Sequence, residues 1–99
     1  MLKLDQVDRS TFDPLVGETF EIVFTDGRIA LKLAGVRAVT GTLADAKREP
    51  FALTFQGEPK VRLPQQIYRI EQASLGQFDL FLVQVGANAS NSEFEAIFS

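Results

Sequence analysis

The segment Phe78-Asp79-Leu80-Phe81-Leu82-Val83-Gln84-Val85 constrains this chain most, because it reads as a β-strand with large apolar side chains on both faces. Side chains alternate across a strand, so Phe78, Leu80 and Leu82 share one face while Phe81, Val83 and Val85 share the other. A small barrel can take either set inward, and the set left outside still needs cover. Each large apolar side chain left in water forgoes roughly 1.5 to 3 kcal/mol of burial. Two kinds of cover are available. The first seventeen residues offer Leu4, Val7, Phe12, Leu15 and Val16, with Ser10 or Thr11 as the residue that starts a short helix. The other cover is a protein partner or a second copy of the chain, which makes Phe81, Val83 and Val85 an interaction surface.

That strand sits in a chain with neither histidine nor cysteine. A disulfide framework and thiolate metal clusters are thereby excluded, and carboxylate and carbonyl oxygens are the only metal ligands left. We expect no cofactor and no metal. The 99 residues make one domain, which buries roughly 65% of the surface of its unfolded form without a covalent staple. Thirteen acidic and ten basic side chains give a net charge of -3, spread along the chain, so no nucleic-acid footprint is visible. No stretch approaches the length of a membrane span, and Met1 to Asp5 lacks a signal-peptide core. The expectation is a soluble, cytoplasmic protein that leaves the cell only within a larger assembly, with no nucleic-acid and no membrane partner.

Nine Phe, many β-branched residues and turn signals about every ten residues favour an all-β fold. In Glu18 to Phe24, Phe20, Ile22 and Phe24 share one face, and Asp26-Gly27 suits a two-residue type I′ turn because both positions need positive φ. The return strand Arg28 to Leu33 turns Ile29, Leu31 and Leu33 inward. Beyond it the apolar parity shifts to Val36 and Ala38, so a bulge is expected at Gly35. Gly41 to Arg48 lacks a strand pattern and reads as a mobile connection. Phe51, Leu53 and Phe55 mark the next strand, closed by Gly57-Glu58-Pro59, and Pro50 and Pro64 suit strand beginnings. Gln66 to Glu71 pairs with the opening segment through Ala73-Ser74-Leu75-Gly76. Gly86 to Ser92 is a loop, and Phe94, Ala96 and Phe98 face inward in the last strand while Glu93 and Glu95 face solvent. The reading is a mostly antiparallel up-and-down set of about six strands over residues 18–98, closed as a barrel or stacked as a sandwich, after the helical segment of residues 1–17.

Catalysis finds little to work with. A Ser nucleophile without histidine needs Lys or a carboxylate as base, and Ser74 and Ser90 lie in turns that use a small hydroxyl for local hydrogen bonds. Glu93 and Glu95 stand about 7 Å apart on one strand face, a separation that glycosidases use, although alternating acids on an outer face commonly serve solubility. Asp26-Gly27 and Asn88-Ala89-Ser90 are too short to count as calcium-loop or glycosylation signals and are explained by turn chemistry. No catalytic residue is assigned. The richest polar group is Gln65, Gln66, Tyr68, Arg69 and Glu71, which could hold a small polar ligand from a concave face or form a cross-strand ion pair in solvent.

Five segments taken together resemble an uncharacterised bacterial domain family: Phe12 to Phe20, Phe51 to Phe55, Leu63 to Ile70, Leu75 to Val83 and Phe94 to Phe98. The resemblance spans nearly the whole chain. It implies a small β-domain of unknown function, encoded near proteins that look like phage tail-collar or microcystin-dependent proteins, and hence a link to a tail-like or surface assembly. That family tends to have a proline after its Leu-Phe-Leu-Val run; Gln84 stands there in this chain, which implies a longer strand. The resemblance brings no catalytic residues. The function expected is a non-enzymatic interaction or assembly module, with a small-molecule-binding β-barrel as the alternative.

Overall fold

The computed structural model describes residues 7–39 and 50–98. Six strands follow a short helix: α1 (Arg9–Phe12) with a 3-10 turn (Asp13–Leu15), then β1 (Thr19–Phe24), β2 (Gly27–Ala38), β3 (Phe51–Gly57), β4 (Gln66–Gln72), β5 (Gly76–Ala87) and β6 (Ser92–Phe98). They close as a barrel in the order β1-β2-β3-β6-β5-β4, with every neighbouring pair antiparallel. Barrel, not sandwich, is the outcome of the two closures left open by alternation.

The order departs from up-and-down at one connection. β3 pairs with β6 instead of β4, so residues 58–65 must cross one mouth of the barrel. Side chains from three strands hold that crossing. Ser92, fully buried, donates from Oγ to the Glu58 carbonyl at 2.7 Å. Gln84 donates from Nε2 to the Val61 carbonyl at 3.0 Å and accepts the Leu63 amide at 2.9 Å, and the Tyr68 hydroxyl donates to the Pro64 carbonyl at 2.5 Å. Val61 and Leu63 pack on the core beneath. Nothing periodic announces such a crossing, because Ser92 and Gln84 lie far away in sequence from the backbone they bind; only Tyr68, four residues from Pro64, is local.

Alternation places most of the core as read, although Ala38, on the apolar parity beyond Gly35, is exposed, and Tyr68, grouped by sequence with the polar residues, is buried. Phe20 and Ile22 of β1, Leu31 and Leu33 of β2, Phe51, Leu53 and Phe55 of β3, Tyr68 and Ile70 of β4, and Phe94, Ala96 and Phe98 of β6 are buried in one cluster. On β5 the inward set is Phe78, Leu80 and Leu82, and the strand runs past Gln84 to Ala87. Ring contacts lock the interior: Phe51 stacks on Phe98 at 4.7 Å and Phe20 meets Phe55 edge-on at 5.2 Å.

Several local expectations change. The β1–β2 turn is Thr25-Asp26, with Phe24 opposite Gly27, and among the described residues only Gly17 and Gly76 have positive φ. The turn is therefore not type I′, and Gly27 is the first residue of β2. Register slips between Leu33 and Gly35 as the parity change requires, yet the bulge uses no positive φ. A second slip, between Gln84 and Gly86, was not read from the sequence. The helix is capped by Asp8, whose side chain accepts the Ser10 amide at 3.0 Å, while Ser10 and Thr11 lie inside it; carboxylate is among the preferred caps. Gly41 to Arg48 lies outside the described residues.

The N-terminal segment, as far as it is described, covers a barrel end and not the outer face of β5. Phe12 is fully buried, 5.9 Å from the Phe51 ring and 5.5 Å from that of Phe98. It closes the mouth opposite the crossing, and Gly17 fastens the segment through its amide to the Leu33 carbonyl at 2.8 Å. Val16 remains exposed.

Candidate interaction face

Because the interior takes Leu80 and Leu82, Phe81 and Val85 are left outside, 48% and 53% exposed, with Val83 half-buried between them. The face is wider than the sequence reading had it. Ile67 on β4 lies directly opposite Phe81 and is 66% exposed, and Ile97 on β6 is 62% exposed. Val83 pairs with Glu95, the last registered pair of β5 and β6, and Ile97 lies two residues beyond it on β6. Ile97 pairs with Ala52 on β3, which pairs with Arg37 on β2. Ile67 and Phe81 thus form an exposed apolar stripe across β4 and β5, and Ile97 is a further exposed side chain on β6. Both isoleucines carried a readable signal: each breaks the phase of its own strand, out of step with Tyr68 and Ile70 or with Phe94, Ala96 and Phe98.

The stripe is bounded by satisfied charge. Arg69 and Asp79, directly opposed on β4 and β5, form an ion pair at 2.7 Å, with Gln77 accepting a second bond from Arg69 at 3.3 Å. Arg37 reaches across β3 to Glu95 at 2.7 Å, and Ala52 between them is fully buried. Glu95 is thereby half of an ion pair, while Glu93 is half-buried. The exposed parts of Ile67, Phe81, Val85 and Ile97 together forgo on the order of 4 kcal/mol of burial.

The polar group Gln65, Gln66, Tyr68, Arg69 and Glu71 does not line one surface. Tyr68 points into the barrel, where burial pushes its hydroxyl pKa up, and its edge meets Phe24 at 6.1 Å. Arg69 is held by Asp79, and Gln65 and Gln66 are exposed. Glu71 joins a different group. It lies opposite Glu21 on β1, and Arg28 from β2 bonds both, at 2.7 Å to Glu71 and 3.4 Å to Glu21. The hydrogen bond from Arg28, then that from Gln77, holds the Glu71 carboxyl below its ordinary range. This ion triad bridges the β1–β4 seam, where only Glu21–Glu71 and Ile22–Ile70 are registered pairs.

Two surface depressions lie among the described residues near these groups. One, of about 410 Å³, lies over Glu21, Glu71, Gln72 and Gln77, so of the five polar residues it takes only Glu71. The other, of about 280 Å³, lies by Lys32, Gln56 and Pro59. Ser74 and Ser90 sit in turns whose amides are taken by Gln72 and Asn88, at 2.6 and 2.7 Å. Among the described residues no group of three or more His, Cys, Asp or Glu could hold a metal ion, and no helix is long and apolar enough to cross a membrane.

A closed six-stranded antiparallel barrel, its described core packed with Phe, Leu and Ile side chains and with Phe12 across one end, is the class of protein defined here. Residues 7–98 match the family described as "Domain of unknown function (DUF6916)", and the chain belongs to that family. No curated protein and no solved structure matches it.

Proposed function

We propose that this protein is a non-enzymatic interaction module that takes its place in a larger assembly by docking through the outer face of β4, β5 and β6. The observation that carries the reading is the uncovered stripe of Ile67 and Phe81, with Val85 and Ile97 also exposed, on a protein whose other large side chains are mostly inside. An apolar stripe with a polar, hydrogen-bonded rim has the anatomy of a protein interface. The dispersal of the Gln65 to Glu71 group over the barrel wall, with Tyr68 packed in the core, favours this reading over a ligand barrel. The resemblance to a family encoded near tail-collar-like proteins suggests a tail-like or surface structure as the assembly, met in the cytoplasm before any export.

Phe81→Glu is the test, made in the protein's own host at native expression and read by chemical cross-linking. The cross-linked species of the unmodified protein should disappear in the variant, while circular dichroism shows an intact barrel. An unchanged cross-linking pattern would overturn the proposal.

A further inference from the structure

We infer that the depression where β1 meets the turn between β4 and β5 binds a small organic ammonium compound that carries a carbonyl or hydroxyl oxygen beside its charged nitrogen. Neither Ile67 nor Phe81 lines this depression, so the inference stands apart from the interaction reading.

Gln72 is the first argument. It ends β4 facing inward and is only 5% exposed. Its Oε1 accepts the Ser74 amide at 2.6 Å and the Leu75 amide at 3.1 Å, which fixes the orientation of the carboxamide. Its Nε2 has no hydrogen-bond partner among the described residues. That nitrogen is not sealed inside, since the buried side-chain atom left without a partner among the described residues is Asn91 Oδ1. It is reached through the depression of about 410 Å³ that Gln72 lines. An oxygen of a ligand is the partner this donor lacks.

Charge is the second. Glu21 and Glu71 line the same depression and face each other directly across the β1–β4 seam. One nitrogen of Arg28 serves both, at 2.7 Å to Glu71 Oε2 and 3.4 Å to Glu21 Oε1. Two carboxylates against one guanidinium leave a negative charge in excess, and Glu21 Oε2 and Glu71 Oε1 have no partner among the described residues. A compact ammonium, with three donors, matches uncommitted carboxylate oxygens.

Together the two sets sort the ligand. A bare metal ion leaves the Gln72 donor unmet, and among the described residues no group of three or more His, Cys, Asp or Glu could hold one. An anion is repelled by the two carboxylates. A neutral amide meets Gln72 and leaves the excess charge unanswered. One molecule with an ammonium and an oxygen acceptor satisfies both, and the depression lies within the span of small-molecule sites, roughly 300 to 1,000 Å³.

The experiment is an NMR titration with glycinamide, which carries both groups, beside ethylammonium and acetamide, which carry one each, at roughly pH 6, where the amines are charged. Glycinamide should shift the Gln72 side-chain amide and the Glu21 and Glu71 carboxyl carbons saturably, with a Kd of roughly 1 to 30 mM for so small a probe. Ethylammonium and acetamide should each bind at least about fivefold more weakly, and Glu21→Gln should weaken glycinamide by a similar factor with its amide spectrum otherwise unchanged. Gln72→Glu still accepts from Ser74 and Leu75 but donates nothing, so it should bind glycinamide and ethylammonium alike. The inference fails if glycinamide does not saturate these signals by roughly 200 mM, if ethylammonium matches it in the unmodified protein, or if Glu21→Gln binds glycinamide as tightly as before.

Discussion

Gln84 on β5 holds Leu63 in the β3–β4 crossing, its Oε1 accepting the Leu63 amide at 2.9 Å while its Nε2 reaches the Val61 carbonyl at 3.0 Å. One carboxamide thus satisfies a donor and an acceptor on a segment that belongs to no sheet, and a proline at this position could do neither. Gln84→Leu should cost about 2 kcal/mol by leaving both backbone groups unpaired. Urea unfolding would show the loss, and amide exchange at Leu63 should quicken more than at Ile70 in the barrel wall. An unchanged urea midpoint would mean that the crossing stays in place without this clamp.

Phe12 fills the other mouth against Phe51 and Phe98. Phe12→Ala removes a fully buried ring and should cost about 3 to 5 kcal/mol, at the upper end if the helical segment cannot settle inward. Denaturant unfolding measures this directly; a cost under about 1 kcal/mol would show that the segment is a dispensable lid.

Gly35 of β2 and Gly57 of β3 should respond oppositely to the same change. A Cβ on Gly57 would lie 2.8 Å from Leu31 Cδ2 and 3.0 Å from Ser92 Oγ, so Gly57→Ala must shift the core or break the Ser92 bond to Glu58, at a cost of about 1 to 3 kcal/mol. Gly35 has negative φ and open space around its Cβ position, and Gly35→Ala should stabilise by about 0.4 to 1 kcal/mol by narrowing the unfolded ensemble. Thermal unfolding of the two variants side by side decides the matter, and equal shifts would contradict it.

Glu71 should titrate below the ordinary carboxylate range in the folded protein because Arg28, and after it Gln77, bonds the ionised form. A folded-state value below the unfolded one means that this group's contribution is fully present above the unfolded value and is lost as pH falls through the folded value. In Arg28→Gln the carboxyl should titrate higher, since Glu21 then faces Glu71 without a cation between them. Carboxyl NMR titration of both proteins checks the shift, and in the variant stability should depend less on pH across the acid range where Glu71 takes up its proton.

Much of the barrel is legible in the sequence because its walls obey a period of two. Phe20, Ile22, Leu31, Leu33, Phe51, Leu53, Phe55, Phe94 and Phe98 all point where alternation sends them. The crossing was not legible: Ser92 and Gln84 act on backbone atoms up to 34 residues away, and no local pattern encodes such a bond. The β1–β2 turn misled because Asp-Gly is a strong signal for one geometry, while the register set by Phe20 opposite Leu31 moves the turn back by one residue. The outer face was read in part. Phe81, Val83 and Val85 stood out as a run, whereas Ile67 and Ile97 occur singly and a lone apolar residue on a polar parity is easily passed over.

The strand order divides the molecule into two three-stranded meanders, β1-β2-β3 and β4-β5-β6, each made of neighbours in sequence. They meet along seams of very different length, seven registered pairs between β3 and β6 against two between β1 and β4. Within a meander the paired strands follow one another in the chain, while the seams join parts 35 to 50 residues apart and carry the greater entropic cost of closure. The Arg28 ion triad spans the shorter seam, so all three of its members come together only when the cylinder closes.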